Sequence, residues 1–417
     1  MMENTDRPIR LLLFGNENCG LIHSLAKGFK QFGGFKVTTV VCQPDPFSPQ
    51  NKFDFNLQRP QFEGGNFFTK KIPYYWQMVK WTLSHHLIEK HLYYNYDLYI
   101  FSWRTLKENF SDLQELRARG KKIIFLFIGS DVRWIDAFRQ EFPGNPYPGS
   151  FEEDWKRKFR LLRMGELYSS SVFSVPDQSS LFIRGYYYMF MPVQIENIRN
   201  VQPGRTRPRV IHAPSKRDIK GTALILEAVE TLRAEGVEFD FEVLEGVSNK
   251  TVLSKLEEAD ILVDQLYLNG PATVATEAMA AGCAVATKYI RELDITKDAP
   301  ICYVDYTNIL PNLRKLILNL EYRKSLAARG REFVAKNNSV MSIVEKMVDS
   351  LDRDERQDFD CYPSFFKQQF ELPKNYSYTA ELDELNKTVL EKYNGRPVPE
   401  KLAAPAATSE QVRLSIS

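Results

Sequence analysis

Short apolar runs alternate along this chain with stretches in which apolar residues return every three or four positions. Residues 9–14 and 35–42 are the first two runs, and between them Ile22, Leu25, Ala26, Phe29 and Phe32 recur at helical spacing. The chain therefore opens as strand, helix, strand. Further strands are predicted at 97–103, 122–128 and 172–175, with Leu113, Leu116 and Ala118 on a helix between the first two. After a stretch at 194–208 where Pro, Gly and Arg concentrate, which reads as a linker, the alternation resumes. Strands are predicted at 210–213, 239–244, 261–263, 284–287 and 301–304. One intervening helix runs through Leu224, Ile225, Ala228, Val229 and Leu232, another through Val252 and Leu256, and a third from about Pro271 to Gly282. Helices at 310–318, 322–333 and 339–351 close the pattern. Such alternation predicts parallel sheets that bind ligands at the carboxyl ends of their strands.

Three stretches are less regular. Residues 43–73 carry Pro, Phe and Asn without periodicity, long for a connection inside a compact domain. Residues 74–94 interleave Trp76, Met78, Val79, Trp81, Leu83, Leu87 and Ile88 with Lys80, His85, His86, Lys90 and His91. An amphipathic helix is predicted there, its aromatics packed in the core rather than on a membrane surface. Its histidines lack a carboxylate or cysteine partner at ligand spacing, so no metal site is expected. Residues 151–166 mix Trp155, Phe159, Leu161 and Leu162 with Lys156, Arg157, Lys158, Arg160 and Arg163. A solvated amphipathic helix is expected, with contact to an anionic membrane as the alternative.

Composition bounds the answer. The chain has 417 residues, 43% apolar and 26% charged, with a net charge of +2, which suits a globular protein with two sizeable cores. That balance gives no case for nucleic acid. Cys19, Cys42, Cys283, Cys302 and Cys361 are odd in number and widely spaced, which fits reduced thiols better than a disulfide framework. The N-terminus is polar, the apolar run at 11–14 is too short for a signal peptide, and no stretch of about twenty apolar residues occurs. A cytoplasmic protein is expected, with the inner face of a membrane as a possible location.

Candidate chemistry lies in two strand-to-helix loops. In the first, residues 260–285 read DILVDQLYLNGPATVATEAMAAGCAV, a strand, a turn through Asn269, Gly270 and Pro271, and a helix. The backbone N–H groups of Ala272, Thr273 and Val274 then carry the positive end of the helix dipole, which suits an anion such as phosphate. In the second, Arg217 and Lys220 lie three residues apart in the loop after the strand at 210–213.

Together, HAPS-x-R-x-x-KGT followed by AD-I-x-V-DQ and EAMAAG-x-A-V over residues 210–285 resembles the nucleotide-binding domain of retaining glycosyltransferases of the GT-B fold, family 4 group. The resemblance implies two Rossmann-like α/β domains with parallel sheets facing across a cleft. They would span residues 1–195 and 209–338, joined by a linker at 196–208. A helix at 339–353 would cross back to the first domain, and a tail at 354–417 would be partly disordered. It also implies that Arg217 and Lys220 bind the donor diphosphate and Glu277 the ribose hydroxyls, with Asn269, Gly270, Ala272 and Thr273 beside the donor. Gly15 and Asn16, in the turn after the first strand, would face the donor across the cleft.

The implied reaction moves a sugar from a nucleotide diphosphate sugar to a carbohydrate or lipid-linked acceptor hydroxyl, with retention. It is metal-independent, hexosyltransferase-like, and set in cell-surface polysaccharide or glycoconjugate synthesis. Neither a cofactor nor a metal is implied. Asn269 stands where the family commonly has a second Glu, Pro271 and Ala272 lie in its glycine-containing loop, and Ile128 replaces the His of an HGSD-x-R turn. Asp131 and Arg133 of that turn are expected to form a local ion pair. Two rival readings are a catalytically impaired homologue that binds or scaffolds, and a nucleotide-sugar epimerase.

Overall fold

The computed structural model describes residues 7–62, 64, 70–149, 154–175, 182–290, 293, 295–353, 359–361 and 380–393. Its first part builds β1 (Ile9–Asn16), α1 (Leu21–Phe32), β2 (Phe35–Gln43), β3 (Phe55–Asn56), α2 (Ile72–Tyr94), β4 (Leu98–Ser102), α3 (Ser111–Ala118), β5 (Lys122–Phe127), α4 (Ile135–Glu141), α5 (Trp155–Tyr168), β6 (Ser171–Ser174) and β7 (Tyr187–Tyr188). These strands form a seven-stranded sheet, order β3-β2-β1-β4-β5-β6-β7, with every neighbouring pair parallel. Its central strands β4 and β5, LYIFS and KIIFLF, are buried along almost their whole length. Helices on both faces explain why they read as continuous apolar runs rather than alternating ones.

The second part builds β8 (Arg209–His212), α6 (Arg217–Lys220), α7 (Thr222–Ala234), β9 (Asp240–Val243), α8 (Asn249–Leu256), β10 (Ile261–Val263), α9 (Thr273–Ala281), β11 (Ala284–Thr287), β12 (Cys302–Tyr303), α10 (Ile309–Leu318), α11 (Leu320–Asn337), α12 (Val340–Arg353) and α13 (Ala380–Tyr393). Here the sheet is five-stranded, order β12-β11-β10-β8-β9, and again parallel throughout. Side chains alternate across it. Val210, Ile261, Val263, Ala284 and Ala286 join one core with Ile225, Val229 and Leu313; Ile211, Leu262 and Val285 join the other with Leu256, Ala275 and Ala278. The period of two thus sends each strand into two layers of helix.

Buried Asp260, just ahead of β10, accepts from the N–H groups of Gly204 and Arg209 and from the Arg205 guanidinium, at 3.2, 2.8 and 3.0 Å. It thereby ties residues 204–209, which lead into β8, to the second sheet. Further on, α12 packs on α1: a Cβ on Gly28 would come within 2.4 Å of Val340 and 2.8 Å of Val344, so the helices touch at a point only glycine leaves open. Helix α13, which periodicity did not signal, docks on α5, where the Tyr393 hydroxyl donates to the Glu166 carbonyl at 2.8 Å.

Two expectations about aromatic helices reverse. Trp155, Phe159, Leu161 and Leu162 of α5 are core residues, and Arg163 is buried against Glu166 at 2.6 Å. Their side chains are therefore turned away from any lipid. Conversely, much of the apolar content of α2 is exposed. Burial of α5 follows from partners distant in sequence, α3 and α13, which local spacing does not reveal.

At the carboxyl end of β1 the register with β2 shifts between Gly15 and Asn16, Cys42 of β2 being the extra residue. Gly15 has φ of 153° and its missing Cβ would lie 2.0 Å from the Ser102 carbonyl oxygen, so β1 and β4 approach at backbone distance. Gly15→Ala should destabilise the first domain by roughly 2–4 kcal/mol through strain and overpacking, read as a lower denaturation midpoint.

Candidate functional site

A cleft of about 470 Å³ lies between the carboxyl ends of the two sheets. One wall comes from the first domain: Cys19 and Gly20 after β1, Ser24 and Lys27 on α1, and Asp45 and Asn51 between β2 and β3. Opposite are Ser215 and Lys220 after β8, Asn249 on α8, and Ala272, Thr273 and Glu277 at the start of α9. The walls meet where the Asn249 N–H donates to the Phe47 carbonyl at 3.3 Å and where Lys27 donates to the Gln194 side chain at 2.8 Å.

The second wall is organised by Asp264, just after β10. One carboxylate oxygen is 2.5 Å from the Lys220 ammonium and the other accepts from the Ala272 N–H at 2.9 Å. Both side chains of this pair are buried. Nothing in the local sequence gives Asp264 a role, although it stands in the DQ of the quoted pattern. Because the Ala272 N–H turns to Asp264, Ala272 remains extended and the helix starts at Thr273, two residues after Pro271. Thr273 and Val274, as first-turn residues, have no intrahelical acceptor for their N–H groups, and both line the cleft.

Behind Lys220, the buried His212 imidazole bridges the Val263 carbonyl at 2.8 Å and the Thr222 hydroxyl at 2.9 Å. Burial lowers its pKa to about 4, so it is a neutral strut holding the end of β8 to β10 and α7. Glu277 is buried, accepts from the Asn249 amide at 2.9 Å, and has its pKa raised to about 7, mainly by burial. Cys19 opens onto the cleft, and the surrounding walls raise its thiol pKa while a hydrogen bond with Thr273 opposes the shift.

The remaining candidates are placed differently. Arg217 is exposed and makes a two-point bond to Glu245 at 2.8 and 2.6 Å, beside cleft-lining Ser215, Leu244 and Gly246 in the chain but not itself in the lining. Gly15 and Asn16 stay within the sheet, and the buried Asn16 Oδ1 has no hydrogen-bond partner; Cys19 and Gly20 reach the cleft instead. Asn269 is buried, its carbonyl accepting from the Ile290 N–H at 3.0 Å, and the Gly270 carbonyl accepts from the Gln265 side chain. Neither lines the cleft. Asp131 accepts from the N–H groups of Ile128 and Gly129, while Arg133 donates to the Tyr147 hydroxyl at 2.7 Å. The turn is therefore shaped by backbone capture, not by an Asp131–Arg133 ion pair. Among the described residues no group of three or more His, Cys, Asp or Glu could hold a metal ion.

This architecture is shared with solved structures of low sequence identity. Sucrose-phosphate synthase from Thermosynechococcus elongatus superposes with a TM-score of 0.54 at 14% identity, covering 84% of this chain and 100% of that one. WaaG, a glycosyltransferase involved in lipopolysaccharide biosynthesis, gives 0.51 at 14% identity, over 82% and 99% of the two chains. An α-glucosyltransferase solved with UDP and a mismatched DNA gives 0.51 at 11% identity, over 83% and 99%. The fold is GT-B. No family model matches the chain, nor does any curated protein. In the GT-B frame, Lys220, Thr273 and Glu277 belong to the second domain and Cys19 and Asp45 to the first, all on one cleft.

Lys220→Ala should cost roughly 3–5 kcal/mol of stability because it strands a buried carboxylate, and Lys220→Met with Asp264→Asn should recover much of that, as denaturant midpoints would register. Glu277 keeps its proton in the folded state up to about pH 7 but loses it at about 4.5 when unfolded. Its contribution to stability is thus full at low pH and is lost as pH rises through that window. Glu277→Gln should abolish this component, so the stability difference between variant and parent should grow in the variant's favour from pH 4.5 to 7.

Proposed function

We propose that the chain is a glycosyltransferase moving a sugar from a nucleotide diphosphate sugar to an acceptor hydroxyl with retention of configuration. The observation that carries this reading is the convergence of Lys220, the first turn of α9 and Glu277 on one wall of the cleft. The diphosphate would lie against the Thr273 and Val274 N–H groups with Lys220 beside it, and fixed positive charge would stabilise it as the departing group. No divalent metal enters this scheme. Ribose hydroxyls would donate to Glu277, whose second hydrogen-bonding partner, Asn249, holds the carboxylate in place. Arg217 would supply a second cation by exchanging Glu245 for a phosphate; the pair is exposed, so it holds its partner weakly.

The acceptor would enter from the first domain, between α1 and the segment after β2, and closure of the walls would exclude water. An ionised Glu277 accepts two hydroxyl donors where a protonated one accepts fewer, so donor affinity should rise with pH through about 7. Cell-surface polysaccharide or glycoconjugate synthesis is the setting we assign. WaaG, whose fold this chain shares, is itself a glycosyltransferase of lipopolysaccharide biosynthesis.

Titration calorimetry with uridine, guanosine and adenosine diphosphates, followed by turnover assays with the matching sugars, tests the proposal. One nucleotide should bind, Glu277→Gln should weaken it by about tenfold and flatten its pH dependence, and Arg217→Ala should weaken it less. Failure of every nucleoside diphosphate to bind would remove the reading, whereas binding without turnover on any acceptor class would mark a catalytically impaired homologue.

A further inference from the structure

Helix α2 is apolar on two sides. One side is held by the first domain: the Trp81 indole donates to the Leu57 carbonyl at 3.0 Å, Ile88 packs on the core and Leu92 is buried. The other side carries Ile72, Tyr75, Trp76, Val79, Leu83 and Leu87 at spacings of one, three and four residues, which places them on a single stripe. That stripe is exposed, with Trp76, Leu83 and Leu87 at 72%, 63% and 68% of their full accessibility. Phe62, itself exposed, lies with its ring centre 5.3 Å from that of Tyr74 and widens the apolar surface. A contiguous patch of this size is not explained by scattered surface residues.

Charge decides what covers it. Lys70 and Lys71 precede the helix, Lys80 and Lys90 lie along it with His85, His86 and His91, and Glu89 is its only acidic residue. Lys80 and Lys90 are exposed beside the stripe. A second copy of this face would bring cation against cation with one acid each to offset them. Lipid phosphates would instead supply the missing negative charge while the stripe enters the acyl boundary, with Trp and Tyr at the headgroup level they favour. No helix among the described residues is long and apolar enough to cross a membrane, so α2 lies on the surface rather than through it. We propose that the exposed face of α2 docks the first domain on an anionic lipid bilayer. This does not depend on the nucleotide reading of the cleft.

Flotation of the full chain with vesicles of phosphatidylcholine alone, and of phosphatidylcholine mixed with phosphatidylglycerol, tests the docking. Binding should be confined largely to the mixed vesicles and should fall with salt. Replacing Lys80 or Lys90 with Gln should reduce partitioning roughly fivefold for each lysine, and Leu83→Glu with Leu87→Glu should abolish it. The altered residues are exposed, and circular dichroism with an unchanged thermal midpoint would show that the variants fold. A parent chain that stays in the soluble fraction with both vesicle types overturns the proposal. So does a Leu83→Glu, Leu87→Glu variant that floats as well as the parent. Self-association lost in that variant, without vesicle binding by the parent, would assign the face to a second copy and equally overturn it.

Discussion

The cleft is built around one buried ion pair. Lys220 and Asp264 are withdrawn from water together, and neither could stand there alone, because an unpaired buried charge is strongly destabilising. Asp264 also takes the Ala272 N–H, so a single carboxylate fixes the end of β10, the end of α6 and the start of α9 relative to one another. His212 adds a neutral brace from β8 to β10 and α7. The Lys220 ammonium on the cleft wall is therefore held in place before any ligand binds, and little reorganisation would be needed were an anion to arrive.

Much of the architecture was legible in hydrophobic spacing. The strands at 261–263 and 284–287 coincide with β10 and β11, because a parallel strand buried on both faces leaves an unmistakable apolar run. Lys220, Thr273 and Glu277, which the family resemblance singled out from two separate loops, all line one cleft. What escaped was set by distance in the chain. Asp264 acts on Lys220, 44 residues away, and Asn249 reaches Glu277 across 28, so no local pattern announces either partner. Arg217 shows the converse: the resemblance implies a phosphate ligand there, yet its guanidinium is held by Glu245, a residue periodicity had no reason to single out. The α2 and α5 reversals have one origin. Both helices mix aromatics with lysines, and only partners remote in sequence decide which of them is covered.

The segment between β2 and β3 links two surfaces that sequence treats as unrelated. Asp45 and Asn51 line the cleft, and the chain runs on through β3 to Leu57, whose carbonyl receives the Trp81 indole of α2. Its order comes from hydrogen bonds rather than periodic burial: Asp45 accepts the Phe47 N–H at 2.9 Å, and Asp54 takes both the N–H and the hydroxyl of Thr39 at 2.8 Å. A stretch without apolar rhythm can be well fixed when its carboxylates satisfy nearby donors. One wall of the cleft and the support of α2 are thus a single piece of chain.

Two helices, α1 and α9, bring their amino ends to this cleft, and a carboxylate already stands at each. At α1 it is Glu17, which takes the N–H groups of Ile22 and His23 at 2.7 and 3.4 Å, the second and third donors of the helix. Burial raises its pKa to about 7. At α9 Asp264 takes only the N–H of Ala272, the residue before the first turn, and brings Lys220 with it. The first arrangement occupies the helix end with a carboxyl group; the second leaves the Thr273 and Val274 N–H groups without an intrahelical acceptor and pairs its carboxylate with a cation. An anion entering between the domains would therefore meet open helix-end N–H donors at α9 but not at α1. This asymmetry, not the presence of helix ends as such, supports seating a diphosphate against α9 and leaving the wall beside α1 to uncharged hydroxyl groups.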